Sequence, residues 1–99
     1  MLSERRRREI AREFVRARFT DGKNDFELWR NYDSMVKNSA RAFTPYPNVL
    51  RSNSVASYIA VAESAKEAFD IAKIETPQTR YDAGTPEITQ YGKYWIIYD

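Results

Sequence analysis

Along residues 3–19, SERRRREIAREFVRARF, the apolar positions recur with helical spacing. Ile10, Ala11, Phe14 and Ala17 share one face with Val15 on its flank, while Arg5, Arg8, Arg12 and Arg16 line the other, which predicts a helix over 3–19 with Ser3 as its N-cap. Asp21 and Gly22 close it, the glycine suiting a left-handed C′ position. A second helix opens at Asn24, Asp25, Phe26 and Glu27, a capping box with asparagine in place of serine or threonine. Leu28, Trp29, Tyr32, Met35, Val36, Ala40 and Phe43 then trace a single face and predict helix over 25–42. The short connection makes these two helices an antiparallel pair.

The prolines in Thr44, Pro45, Tyr46, Pro47 and Asn48 remove backbone donors and bias their neighbours to extended conformations, so an extended connection is expected over 44–53. That length argues against a helix-turn-helix built from the second and third helices. The clearest period lies beyond it, where Val55, Tyr58, Ala62, Ala65, Phe69 and Ala72 alternate at spacings of three and four. It predicts a long central helix over 54–74, about 30 Å in length, capped by Ser52 or Ser54 and stopped by Pro77. Glu63, Glu67 and Asp70 fall opposite as a solvated face, and a packed core helix is preferred to a dimer seam because the repeat is short.

After Pro77 the pattern changes. EITQYGKYWIIYD is rich in β-branched and aromatic residues, and Gly92-Lys93 fits a two-residue type II′ turn, which predicts a C-terminal β-hairpin over 87–98. In that register Tyr91 faces Tyr94, Thr89 faces Ile96 and Glu87 faces Tyr98, with Ile88, Gln90, Trp95 and Ile97 on the other side. A short strand near Thr79 to Tyr81 is expected to add to it. One face must pack on the helices, because an isolated hairpin is marginal. Either Trp95 and Ile97 turn inward and Tyr91, Tyr94 and Tyr98 form an outward row, or the reverse holds and Trp95 is exposed. The expected fold is α+β: a three-helix core, made of a two-helix antiparallel hairpin and one long central helix, with the β-hairpin at the C-terminus, all in a single domain over 1–99.

Composition narrows the chemistry. The 99 residues contain neither cysteine nor histidine, which excludes disulfides, zinc–thiolate sites and Ser-His or Cys-His nucleophilic catalysis. Gly22, Gly84 and Gly92 are too scattered for a phosphate-cradling loop, and no EF-hand-like carboxylate loop occurs. No catalytic residue, metal site or cofactor is assigned, and the chain is not expected to be an enzyme. The sequence has no run of apolar residues long enough for a membrane span and no signal-peptide pattern, so a cytoplasmic protein without membrane contact is expected. The net charge of +2 conceals an asymmetry: residues 1–18 hold seven arginines against three glutamates, a balance of +4, leaving −2 for the remainder.

Two surfaces follow. The arginine stripe, Arg5, Arg8, Arg12 and Arg16, reads either as a solvated helix face or as a contact surface for phosphates or an acidic protein, the guanidinium fork suiting paired contacts. Because Arg5 to Arg8 are consecutive they wrap the helix, and some must lie near its buried side. The aromatic hairpin supplies Tyr91, Tyr94, Trp95 and Tyr98, with Tyr46 as a further candidate protein-interface residue. The leading expectation is a non-catalytic binding protein that docks on another protein or complex as a stoichiometric inhibitor or adaptor, in the style of a phage or mobile-element accessory protein. Nucleic-acid binding through the arginine helix is the alternative, and a self-assembling structural subunit the third. The expected state is monomer or homodimer.

Overall fold

In the computed structural model, which describes residues 2–19, 26–38, 40–41, 49–51, 57–75 and 86–99, the chain is α+β, with helices and an antiparallel sheet. Helix α1 runs Glu4–Phe19 and α2 runs Phe26–Asn38. Strands β1 (Ala40–Arg41) and β2 (Leu50–Arg51) are short, and β3 spans Tyr58–Ala62. Helix α3 (Ala65–Glu75) precedes the hairpin of β4 (Glu87–Tyr91) and β5 (Tyr94–Tyr98). The strands are ordered β1-β2-β3-β5-β4, every neighbouring pair antiparallel.

The first helix ends where its pattern predicts, and the Ser3 hydroxyl accepts from the Arg6 amide at 3.1 Å as an N-cap does. Its buried face is Arg7, Ile10, Ala11, Phe14, Val15 and Phe19, and Ala17 is exposed. Against the prediction, α2 stops at Asn38 and Ala40–Arg41 pairs with β2. Arg8 meets Val36 while Arg12 approaches Asp33, so α1 and α2 run antiparallel. Phe43, the proline-rich segment 44–48 and the expected strand at 79–81 lie outside the described residues.

The long helix predicted over 54–74 is the main correction. Tyr58–Ala62 is the central strand of the sheet, buried at every position, and the helix begins only at Ala65. The Ser64 hydroxyl accepts from the Glu67 amide at 3.1 Å, and the Glu67 carboxylate reaches back to the Glu63 amide at 2.9 Å. This is a capping box displaced by one residue on its return arm. Phe69, placed on the packing stripe by the helical reading, is 60% exposed, and the buried face of α3 is instead Ala68, Ile71, Ala72 and Glu75.

Helices cover both faces of the sheet. Ile59 and Val61 of β3 join Ile96 and Tyr98 of β5 and Leu50 in a core layer beneath α1 and α2, with Ile10, Phe14, Val15, Phe19, Tyr32 and Val36. Tyr58, Ala60 and Ala62 join Val49 and Ile97 in a second layer beneath α3, with Ala68, Ile71 and Ala72. The strand alternation sends successive residues to opposite layers, so no face of β3 is left for water.

Candidate functional site

The groove between α1 and α2 gathers most of the arginine stripe. Arg5, Arg8, Glu9, Arg12, Val36 and Lys37 line an open depression of about 340 Å³. Periodicity puts Arg5, Arg8 and Arg12 along one side of α1, and α2 then supplies the apolar floor at Val36 and the fourth cation at Lys37. Arg8 donates through Nη1 to the Val36 carbonyl, in the last turn of α2, where carbonyls lack intrahelical partners. Asp33 holds Lys37 Nζ at 2.9 Å and lies 3.9 Å from Arg12 Nη2. Arg5 is 92% exposed in its side chain and 3.5 Å from Glu9.

The stripe is therefore not a uniform outward face. Arg5 and Arg16 are exposed, whereas Arg8 and Arg12 are half-buried against α2. On the α2 side, Trp29, Arg30, Asp33, Ser34, Lys37 and Asn38 line an adjoining depression of about 280 Å³, and Lys37 belongs to both.

The hairpin forms in the predicted register, with Tyr91 opposite Tyr94, Thr89 opposite Ile96 and Glu87 opposite Tyr98. Gly92, at φ +61°, occupies the first turn position. Neither expected exposure pattern occurs, because each face of the hairpin meets a helix layer. Tyr91, Tyr94 and Tyr98 turn toward α1 and α2, where Phe14 meets Tyr91 and Tyr98 with ring centroids 5.6 Å apart in each case. Tyr98 is buried, while Tyr91 and Tyr94 are half-buried at the margin of that layer. Trp95 packs half-buried against the layer beneath α3. These residues serve first as core, and an outward tyrosine row does not exist. Tyr46 lies outside the described residues. Among the described residues the sheet has two edge strands, β1 and β4, while β5 is hydrogen-bonded on both sides.

Arg7 was not singled out by the arginine stripe, yet it is the buried member of the four consecutive arginines. Its Nη1 donates to the Val61 carbonyl, and its Nη2 lies 3.6 Å from Glu63 and 3.8 Å from Glu67. The Leu2 amide donates to the same Glu63 carboxylate at 3.0 Å. The two glutamates read as a solvated face thus clamp the start of α1 to the β3–α3 junction. The signal was present, because Arg7 precedes Ile10, Ala11 and Phe14 by three, four and seven residues and so shares their face.

Among the described residues, no cluster of three or more carboxylates is arranged to hold a metal ion, and no helix is long and apolar enough to cross a membrane. Comparisons with protein-family models, with curated proteins and with solved structures return no match.

Proposed function

We propose that this chain is a non-catalytic binding protein that docks on an acidic surface of another protein, as an adaptor or stoichiometric inhibitor, through the α1–α2 groove. The observation that carries the reading is the convergence of four cations, Arg5, Arg8, Arg12 and Lys37, on one open depression whose acids are Glu9 in its lining and Asp33 beside Arg12 and Lys37. Guanidinium groups suit this task because their planar fork can engage a carboxylate through two parallel hydrogen bonds. Complementary charge of this kind steers encounter and fixes register more than it sets raw affinity. The aromatic hairpin contributes rigidity to the platform instead of contact area.

Nucleic-acid binding through the same cations is the second reading, favoured by the +4 balance of residues 1–18. Immobilised protein and an Arg5→Glu, Lys37→Glu variant, in which both altered positions line the groove and are exposed, separate the two. A partner protein that survives nuclease treatment, and that the variant no longer retains, supports protein docking. Retention that nuclease abolishes, and that falls steeply between about 50 and about 200 mM salt, places nucleic acid first. A partner held equally by the variant removes the groove from the interface.

A further inference from the structure

We infer that the α1–α2 groove takes an acidic segment presenting two carboxylates about 10 Å apart with a cation between them. The inference rests on the docking reading and specifies its partner. The groove is bipolar in layout. Arg5 and Arg8 lie toward one end of its α1 wall and Arg12 toward the other, with Lys37 facing from α2 and Glu9 set between the arginines. Seven residues of helix separate Arg5 from Arg12, which is about 10 Å along the axis.

Two features make this a selective arrangement. Arg8 is fixed by the Val36 carbonyl, and Arg12 and Lys37 are both drawn to Asp33, so these cations are positioned before a partner arrives and lose less freedom on binding. Glu9 is held between Arg5 at 3.5 Å and Arg6 at 3.2 Å yet stays half-exposed in its side chain, so it repels an anion laid along the whole length of the groove and can share its carboxylate with a partner's lysine or arginine at the midpoint. A phosphate backbone presents negative charge about every 3.4 Å along each strand and has no such interruption. The pattern therefore favours a protein segment of alternating sign. A helix bearing glutamates two turns apart, with lysine one turn between, reproduces the spacing of α1 itself.

The test is fluorescence anisotropy at low salt with three labelled probes. The first is a helical peptide with two glutamates two turns apart and a lysine between them. The second has the same composition with the glutamates adjacent, and the third is an oligo-dT strand. The expected result is that the spaced peptide binds about fivefold more tightly than the permuted one. Arg5→Gln should weaken it about threefold with an unchanged circular dichroism spectrum, since Arg5 is almost fully exposed. Equal binding of the two peptides overturns the spacing but leaves the docking reading standing. Failure of both peptides overturns both readings, and tighter binding of oligo-dT replaces them with nucleic acid.

Discussion

Tyr32 lies stacked on Phe19 at 5.6 Å and meets Tyr98 edge-on at 5.5 Å, with almost no exposed surface. Burial, with the charge of Asp99 adding to it, pushes its phenol well above the ordinary tyrosine value. The unfolded chain ionises this group near pH 10, whereas the folded protein keeps the proton. The stability it confers is thus complete below about pH 10 and is lost as pH rises from there toward the folded value. Tyr32→Phe should flatten the alkaline fall in urea-unfolding free energy relative to the parent while leaving the neutral-pH slope unchanged. An identical alkaline fall in both proteins would show that Tyr32 ionises as freely in the folded state as in the unfolded one. Single residues were unevenly legible in the sequence. Gly92 was placed correctly because a two-residue turn between alternating strands demands positive φ at a position where glycine stood. That some of the four consecutive arginines lie near the buried side holds at Arg7, whose helical phase, shared with Ile10, Ala11 and Phe14, singles it out among them.

At the scale of elements, α1, most of α2 and the C-terminal hairpin are readable, whereas β1, β2 and the central strand are not. Tyr58–Ala62 is buried on both sides, so it shows the continuous apolar run that periodicity alone does not separate from a helix. Its Tyr58 and Ala62 fall by coincidence onto a helical stripe with Ala65 and Ala72. The decisive mark was local: Ser64-x-x-Glu67 is a capping sequence, and it restarts the chain as α3 after a two-residue break. Ser64→Ala should cost about 1 kcal/mol in urea unfolding, with Ser64→Asp closer to the parent. No loss in the alanine variant would mean that tertiary packing alone fixes the start of α3.

At the scale of the whole molecule, the two core layers differ in character. The layer beneath α1 and α2 is built on large rings, Phe14, Phe19, Tyr32 and Tyr98, whereas that beneath α3 is rich in alanine, with Ala60, Ala62, Ala68 and Ala72. Small side chains on both strand and helix let α3 lie close to the sheet, so this layer has little slack for added volume. Ala60→Leu should therefore cost about 1–3 kcal/mol by overpacking, and Ile59→Ala, one residue away but in the other layer, about 2–5 kcal/mol by leaving a cavity. Denaturant midpoints of the two variants check this, and a neutral Ala60→Leu would show that α3 can move outward freely. The α+β class and the hairpin register are legible along the chain. The second layer is not, because an alternating hairpin looks the same whether one face or both are covered. The arginine groove was half-visible for a similar reason: the stripe could be counted on α1, but the Asp33, Val36 and Lys37 that shape it come from α2.

The position of β5 between β3 and β4 carries a consequence for synthesis of the chain. During translation the inner edge of β3, five consecutive apolar residues, waits for its partner until Tyr98 has been added, 36 residues after Ala62. At ordinary elongation rates that interval is about 2–7 seconds. Through it the nascent protein carries an unpaired strand of the kind that recruits other strands, which makes its yield sensitive to translation speed and to chaperones that shield extended apolar segments.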